Sequence, residues 1–507
     1  MAAAAASPGP TCSLSPAGRR HVGPVRRPGI GAGEPCRAVL RLCGRASASP
    51  CLQSIRVAAA GNRSARCGRH GRFPFPVRRR TVLTSRPATF PPPHRTLAES
   101  RAASGLSPLH RLWRVLPARG RRRVLTRAAA LLAPVPDRPP PPARGGVAVA
   151  GELDRASGLG EGARLMLHGL AALGVPHWAI GSPSSGPAAP RPADGAPLLL
   201  HVNAPMLPAA LLRLDRTMLR RRRLIGHWAW ELPTVPADWR QGARFVHEVW
   251  APSRFTATAL ETLLPGRVRV VPYPLAVAPP RPAPLGRAHF GLPEEAVIVL
   301  VSFSLASSFE RKNPLGAIAA FRRAFGDRRD RVLLLKIGNP GDFPADFRTI
   351  RHHVGAAPNI RIETRTLGSA ERHALTACAD IVLSLHRSEG FGLVPAEAML
   401  LGRAVIATGW SGNTDFMEAG SAALVGYRLV PARDPRRVFE APGAVWAEPD
   451  FGEAASHLVR LADDPAARAA LGRRGRETAA QRLGTAPLAA ALQAIGLEWP
   501  GSEAFVA

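Results

Sequence analysis

The alternation of apolar runs with amphipathic stretches begins at Gly146 and predicts a parallel α/β fold. GVAVAGE is typical of a buried strand, DRASGLG of a glycine-rich loop, EGARLMLHGLAALG of an amphipathic helix and PHWAIG of a second strand. Strand, helix and strand in that order form a βαβ unit with parallel strands. Two more units follow along the chain: PLLLHVN, the helix LLRLDRTMLRRRR and RLIGHWAWEL; then FVHEVWAPS, the helix FTATALETLL and VRVVPYPL.

A second alternating series follows the proline-rich segment APPRPAPLG, residues 278–286, which we interpret as a hinge. We therefore predict one lobe over residues 146–278, a second over 287–482, and a C-terminal helix within 483–507 that packs back towards the first lobe. Two doubly wound lobes would hold a ligand in the cleft between them, at the carboxyl ends of the strands. The second series comprises AVIVLVSFS, PLGAIAAFRRAF, RVLLLKIGN, IRIETRTL, SAERHALTACA, IVLSLHRSEGFG, PAEAMLLG and AVIATGWSG.

The formal net charge of +32 is concentrated in an arm, residues 1–145. The first 150 residues hold 27 Lys plus Arg and three acidic residues. Because the arm is rich in Arg, Pro, Ala, Gly and Ser without hydrophobic periodicity, we expect it to be disordered. Three interpretations stay open: binding of nucleic acid or an anionic membrane by bulk charge, a targeting peptide, or translated upstream sequence from a GC-rich genome. Aromatic residues suited to base stacking are sparse in the arm, so we expect no specific nucleic-acid partner.

Cysteine usage and the length of the apolar runs bear on the compartment. Five of the six cysteines lie in the arm without regular spacing, and Cys378 lies in an apolar helical run. This argues against a disulfide framework or a zinc site. No apolar run reaches the ~20 residues that span a bilayer. We expect a cytoplasmic protein, or one that is peripheral at the inner face of the membrane. The arginines that end LLRLDRTMLRRRR would either dock on an anionic membrane or form a solvated helix face.

Two carboxylates in RSEGFGLVPAEAM follow a predicted strand, with seven residues between them. Glu389 lies in the loop and Glu397 in the helix after it. A carboxylate can accept two hydrogen bonds from a vicinal diol, so such a pair suits a ribose and a hexose at opposite ends of one ligand. Gly390 and Gly392 would let backbone N–H groups approach what lies between. An acid in the first turn of a helix is also favoured by the helix dipole, so a structural role stays open for Glu397.

The chain contains two lysines, Lys312 and Lys336, and both follow apolar strands of the second lobe. Arg311 and Lys312 lie in a predicted loop just before a helix that opens at Asn313 and Pro314. Each charge-assisted hydrogen bond is worth about 1.5 to 3 kcal/mol. A guanidinium, an ammonium and a helix terminus would thus stabilise a diphosphate leaving group without a metal. Lys336 would face the same cleft. Alternatively, Arg311 and Lys312 lie in a solvated loop, and Lys336 is a charge at a strand end that reaches solvent.

The segments RSEGFGLVPAEAMLLGRAVIATGWSGNTDFM and FERKNPLGAIAAFRRAF resemble the donor-binding lobe of the retaining, GT-B-fold glycosyltransferases of family 4. SGLGEGAR, IGHWAWELPTVPADW and VHEVWAPSRF resemble the acceptor lobe of one branch, and the family includes bacterial mannosyltransferases of polysaccharide synthesis. The likeness covers roughly residues 146–490. It implies a GT-B fold, two Rossmann-like doubly wound lobes with an interlobe cleft, in which the first lobe binds the acceptor and the second the nucleotide sugar.

The resemblance also implies roles for individual residues. Glu389 would contact the hydroxyls of the donor sugar, and Glu397 would hold the ribose. Lys312 with Arg311 would hold the diphosphate. The other implied positions are the backbone of Gly390, Phe391 and Gly392 beside the sugar, Gly158 and Gly160 in a loop facing the donor phosphate, and His227 as the acceptor-lobe histidine.

The chain departs from the family pattern in places. Phe303 and Ser304 stand where many members carry Gly-Arg, so the second phosphate cation would be Arg311 or come from elsewhere. Asp415 stands where a Glu is common. The resemblance implies retention of the anomeric configuration, with the leaving phosphate taking the acceptor proton. With no Asp-x-Asp signature near a strand end, we expect no metal and no cofactor besides the nucleotide sugar, with GDP-mannose favoured and a saccharide or lipid-linked acceptor.

Two other functions stay open. A nicotinamide-dependent oxidoreductase would use SGLGEG as its phosphate loop, but the acidic residue expected about 20 residues further on is missing. A non-catalytic binder of a nucleotide or sugar would share the cleft without turnover.

Four tryptophans of the first lobe would stack on acceptor sugars or belong to the core: Trp228, Trp230, Trp239 and Trp250.

Overall fold

The computed structural model describes residues 118–155, 157–181, 191–439 and 441–505. Most of the predicted arm, residues 1–117, lies outside these ranges, and so does the prediction that this part is disordered. Apart from residues 156, 182–190 and 440, the two predicted lobes lie within these ranges, and they belong to one compact unit.

The first lobe is built on a six-stranded parallel sheet in the order β2-β1-β3-β4-β5-β6. Strands β3, β4 and β5 are buried along their whole length because helices cover both faces, which explains their continuous apolar runs. The strands are β1 Val147–Gly151, β2 His177–Ile180, β3 Leu198–His201, β4 Leu224–His227, β5 Glu248–Ala251 and β6 Val268–Val270. The helices are α1 Ala118–Leu132, α2 Gly158–Ala172, α3 Leu207–Leu211, α4 Trp239–Gly242 and α5 Arg254–Glu261.

The second lobe is a six-stranded parallel sheet in the order β12-β11-β10-β7-β8-β9. This is the doubly wound order of a Rossmann fold, and with the first sheet it confirms the predicted GT-B arrangement of two Rossmann-like lobes. The strands are β7 Val297–Ser304, β8 Arg331–Gly338, β9 Ile360–Glu363, β10 Ile381–Ser384, β11 Ala404–Thr408 and β12 Ala423–Val425. The helices are α6 Phe309–Lys312, α7 Pro314–Phe325, α8 Pro344–Val354, α9 Ser369–Cys378, α10 Leu393–Leu400, α11 Phe451–Asp463, α12 Pro465–Arg482 and α13 Ala486–Ala494.

Two features of the second half complete the fold. An antiparallel hairpin that the sequence analysis did not predict pairs β13 Tyr427–Pro431 with β14 Val445–Pro449. Helix α13 returns to the first lobe, where Leu488 packs beside Gly169 of α2. No helix within the described ranges is long and apolar enough to cross a bilayer.

Side-chain caps begin several helices at the carboxyl edges of the sheets. The hydroxyl of Ser157 accepts the Gly160 N–H at 3.1 Å at the start of α2, and the amide oxygen of Asn313 accepts the Gly316 N–H at 3.2 Å at the start of α7. A cap of this kind stabilises a helix by about 1 kcal/mol. The caps set where these helices begin, and hence which backbone N–H groups point into the cleft.

The predicted boundary of the disordered arm is wrong at its C-terminal end. Residues 118–145 contain α1, and Ala130 and Ala133 share a buried apolar core with Leu207 of α3. Further along, the carbonyl of Asp137 accepts a hydrogen bond from the Nε2 of His247 at 2.7 Å. These residues therefore form part of the first lobe.

The predicted helix LLRLDRTMLRRRR does not form. Helix α3 ends at Leu211, and the side chain of Asp215 accepts the N–H of Thr217 at 2.9 Å, a local bond that competes with helix formation. Arg221 then takes a left-handed conformation with φ 54°. Arg222 is buried and donates to the carbonyl of Ala196 at 2.9 Å, so the four arginines do not share one solvated face.

Candidate active site

Two neighbouring loops at the carboxyl edge of the second sheet carry the predicted charged residues. Strands β7 and β10 pair directly, and the loops after them carry Lys312 and Glu389. The side-chain amide of Asn313 donates to the carbonyl of Leu385 at 3.0 Å while it caps α7. One buried asparagine thus holds the two loops in register.

Three buried residues around these loops have positive φ angles although none is glycine. Ser308 has φ 145°, Asn313 51° and Ser411 81°. Ser308 accepts the N–H of Arg311 at 3.2 Å, and Ser411 accepts the N–H of Glu389 at 2.8 Å. Such conformations cost on the order of 1 to 3 kcal/mol each and cluster at functional sites. The hydrogen bonds of Ser308 and Ser411 hold these strained conformations in the two charged loops, and no local sequence pattern predicts them.

Lys312, Arg311 and Glu389 form one buried ionic cluster. The ammonium of Lys312 pairs with the Glu389 carboxylate, and the Nη1 of Arg311 lies 3.2 Å from the other carboxylate oxygen. Burial alone would raise the pKa of Glu389, but Lys312 and Arg311 hold it at about 2. Glu389 is therefore an ionised carboxylate at neutral pH.

The two cations of the cluster differ in what a ligand can reach. The side chain of Lys312 is 18% exposed, whereas that of Arg311 is 2% exposed. Arg311 also donates to the carbonyl of Ser388 at 2.7 Å and stacks 5.2 Å from the ring centre of Phe439. The loop predicted for the pair is the short helix α6, in which Arg311 is buried against Glu389.

Glu231, from the first lobe, also faces the cluster, and the sequence analysis did not single it out. Its carboxylate lies 3.7 Å from the Nη2 of Arg311. Burial raises the pKa of Glu231, with Arg311 opposing the shift and Glu389 adding to it. Its position shortly after the buried strand β4, in IGHWAWELP, is the sequence feature that could have indicated a place at the cleft.

Gly390 lies where the two lobes touch. Its carbonyl accepts a hydrogen bond from the Ser253 hydroxyl at 2.6 Å, and a Cβ at Gly390 would stand 3.0 Å from the carbonyl oxygen of Trp230. Asp415 forms a second contact between the lobes, because its carboxylate accepts the N–H of Arg254 at the start of α5 at 2.7 Å. Asp415 therefore caps a helix of the opposite lobe.

Two helix N-termini meet in the cleft. Gly392, with φ 100°, opens α10, and the side chain of Leu393 lies 4.0 Å from the position of a Cβ on Gly158. Gly158 and Gly160 belong to the first turn of α2 and not to the predicted loop, because Ser157 caps the helix there. Converging N-termini favour an anion.

Phe391 turns its side chain away from the cleft. Its ring packs edge-on against Tyr273 of the first lobe, with ring centres 5.1 Å apart, and is buried. The ring therefore belongs to the packing between the lobes, and the backbone of Phe391 is the part left to line a ligand.

Glu397 and Lys336 have partners of their own. Glu397 lies in the second turn of α10, so the helix-dipole explanation for it is wrong; its carboxylate is 4.0 Å from Arg372 and 3.8 Å from the Nε2 of His373. Lys336 is buried in β8 and donates to the carbonyl of Arg365 at 2.8 Å. Among the described residues, no hydrogen bond or ion pair joins Lys336 to Glu389.

His227 lies inside an aromatic stack. Its ring lies between His201, with centres 4.5 Å apart, and Tyr273 at 4.9 Å, and its Nε2 donates to the carbonyl of Val271 at 3.2 Å. Burial lowers the pKa of His227 to about 4, so the ring is neutral at pH 7. The structure does not bring His227 into contact with Lys312 or Glu389.

Two further site predictions concern tryptophans and metals. The four tryptophans named above are all buried, which favours the core alternative. Within the part of the chain that the structure describes, no three His, Cys, Asp or Glu side chains come together in a group that could hold a metal ion.

Comparison with known proteins identifies the lobe that carries this site. Residues 297–447, which include Lys312, Glu389 and Glu397, match the family described as glycosyl transferases group 1. The chain is 28% identical over 185 residues to a D-inositol 3-phosphate glycosyltransferase of Nocardioides sp., covering 34% of this chain and 39% of that protein. It is 26% identical over 257 residues to a trehalose synthase of Rubrobacter xylanophilus, covering 47% and 53% respectively.

The chain thus spans about half or less of the length of these two relatives. Among solved structures, HepE of Anabaena in complex with UDP and glucose aligns with a TM-score of 0.49 at 15% identity, over 69% of this chain and 100% of that one. The second lobe, where the paired glutamates and Lys312 lie, resembles the group 1 glycosyltransferases, as its motifs predicted.

Proposed function

We propose that the protein is a retaining, metal-independent glycosyltransferase that moves a hexose from a nucleoside-diphosphate sugar to a saccharide or lipid-linked acceptor, with mannose from GDP-mannose favoured. The observation that carries the proposal is the Lys312–Glu389 pair: a partly exposed ammonium beside an ionised carboxylate, within the segment that matches the group 1 family. The two helix N-termini at Gly158 and Gly392 add positive potential on both sides of the same cleft.

The proposed chemistry follows from where charge develops. Breaking the glycosyl phosphate bond puts negative charge on the departing diphosphate, and a preorganised cation is the main requirement at that point. An ammonium has three donors, so Lys312 can keep Glu389 and still bind a phosphate oxygen. Arg311 holds Glu389 from behind, and Glu389 positions the donor sugar. The leaving phosphate takes the acceptor proton, so no separate general base is needed.

A ligand panel tests this proposal against its alternatives. GDP, UDP and NAD are each added separately to the full chain. We expect one of the two nucleoside diphosphates to raise the melting temperature of the protein. A ligand at 100 times its Kd stabilises the folded state by about 2.7 kcal/mol. Stabilisation by NAD alone would favour the oxidoreductase alternative. Stabilisation by a nucleoside diphosphate without turnover of any nucleotide sugar would favour a non-catalytic binder.

We also propose that the first lobe makes a peripheral contact with anionic membrane. Exposed apolar residues lie on one face of α1, where Leu125 and Leu132 are two turns apart and Leu131 is 85% exposed. Exposed arginines lie on α1 and in the residues that follow α3 along the chain: Arg127, Arg213, Arg216 and Arg220. Apolar side chains beside cations suit the interface of an anionic bilayer.

Vesicle binding tests this contact. The protein is expected to sediment with phosphatidylglycerol vesicles and not with phosphatidylcholine vesicles. A double variant, Leu131→Ser with Leu132→Ser, should bind at least tenfold less, because burying a leucine contributes about 1.5 to 3 kcal/mol. Val459→Ser, an exposed apolar position on α11, is the matched control and should bind like the wild type. Equal binding to both kinds of vesicle would contradict the proposal.

A further inference from the structure

One carboxylate of the opposite lobe faces the ionic cluster. Arg311, Lys312 and Glu389 form the cluster in the second lobe, and Glu231 approaches it from the first. Arg311 and Glu389 are almost covered, at 2% and 10% side-chain exposure, whereas Lys312 and Glu231 are 18% and 23% exposed. A ligand entering the cleft therefore meets one cation on the donor side and one carboxylate on the other side.

The backbone that carries Glu231 is fixed from both lobes. The Ser388 hydroxyl donates to the carbonyl of Glu231, and the Thr256 hydroxyl donates to the carbonyl of Trp230 at 2.8 Å. The Trp230 ring stacks on Phe439, with ring centres 5.5 Å apart, and Phe439 in turn underlies Arg311. The position of Glu231 is therefore coupled to the position of the ionic cluster.

A structural ion pair with Arg311 does not account for Glu231 by itself. Arg311 is already compensated by Glu389 at 3.2 Å and by the Ser388 carbonyl at 2.7 Å, whereas Glu231 stands 3.7 Å away, beyond hydrogen-bond distance. A carboxylate has about four acceptor positions, so Glu231 can still accept hydrogen bonds from hydroxyl groups.

We propose that Glu231 binds the acceptor: its carboxylate accepts a hydrogen bond from a hydroxyl next to the one that attacks the donor sugar, and so holds the attacking oxygen against the anomeric carbon. The inference rests on the proposed transferase function. Glu231 gains no proton, because the proton of the attacking hydroxyl passes to the leaving phosphate. Water, the smallest acceptor, has two protons and can bond Glu231 through one while the other passes to the phosphate, so slow hydrolysis of the donor depends on Glu231 too.

The test separates positioning of the acceptor from binding of the donor. Glu231→Gln keeps the shape of the side chain but removes its charge and half of its accepting capacity. The donor is the nucleotide sugar that the wild type turns over, at saturating concentration, and water is the acceptor. Under these conditions the rate of nucleoside diphosphate release should fall about 10- to 100-fold. The Kd for the nucleoside diphosphate and the melting temperature should stay close to wild type. Glu231→Asp, which keeps the charge, should recover part of the rate, and Glu295→Gln, an exposed carboxylate, should match the wild type.

The outcomes are distinct. An unchanged release rate in Glu231→Gln, or a Kd that weakens as much as the rate falls, would overturn the acceptor role. If the wild type binds a nucleoside diphosphate but releases none from any nucleotide sugar, the transferase function itself fails, and the acceptor role fails with it.

Discussion

Replacing Lys312 by methionine is expected to lower turnover of the nucleotide sugar by about 10²- to 10³-fold, the loss typical of removing one preorganised donor to a developing oxyanion. Lys312 is the exposed cation of the cluster, and Arg311 cannot take its place because its guanidinium is buried against Glu389 and Phe439. The nucleoside diphosphate should also bind more weakly. Release of the diphosphate and calorimetric titration measure the two effects.

Two matched variants show whether charge is the cause. Lys312→Arg keeps a cation at the site and should retain more activity than Lys312→Met. Arg329→Met removes a cation from an exposed position outside the cleft and should leave turnover unchanged. If Lys312→Met turned over the donor at the wild-type rate, the cluster would not be the phosphate site.

Replacing Glu389 by glutamine is expected to abolish turnover and to destabilise the fold by about 3 to 5 kcal/mol, because it leaves Lys312 and Arg311 without their buried partner. The effect should depend on pH in a defined direction. The pKa of Glu389 is depressed from 4.5 to about 2, so its contribution to stability is fully present above pH 4.5 and is lost as the pH falls towards 2. Urea unfolding of both proteins across this range measures the difference.

An exposed carboxylate gives the comparison. Glu418→Gln removes a partner of Arg482 at a side chain that is 57% exposed and should cost less than about 1 kcal/mol. A difference between the wild type and Glu389→Gln that is the same at neutral pH and near pH 2 would show that the ion pairs of Glu389 do not stabilise the fold.

Local pattern was enough for the lobes and for the motif residues. Continuous apolar strands alternating with amphipathic helices predicted both parallel sheets, since strands buried on both faces have few alternatives. Glu389 and Lys312 could be placed at strand ends because loop positions after parallel strands converge on one edge. The predicted roles of these residues in donor binding stay predictions that the variants above test.

The sequence could not reveal features that depend on contacts distant along the chain. Asp215 interrupts the predicted basic helix through a bond to the backbone, and Arg222 is buried by carbonyls about 26 residues away. The position of Arg311 and Lys312 just before a helix predicts both as phosphate ligands, but α6 buries the side chain of Arg311 against Glu389 and leaves that of Lys312 partly exposed. Glu231 reaches the site only because the two lobes close on each other.

Turnover of a nucleotide sugar is the most direct test of the central claim that this cleft transfers a hexose. The full chain would be incubated with a panel that includes GDP-mannose, UDP-glucose and UDP-N-acetylglucosamine, and the products analysed by mass spectrometry. We expect the wild type to release a nucleoside diphosphate from at least one donor and Lys312→Met to do so at least 10²-fold more slowly. Release from every donor at equal rates by both proteins, or from none by the wild type, would contradict it.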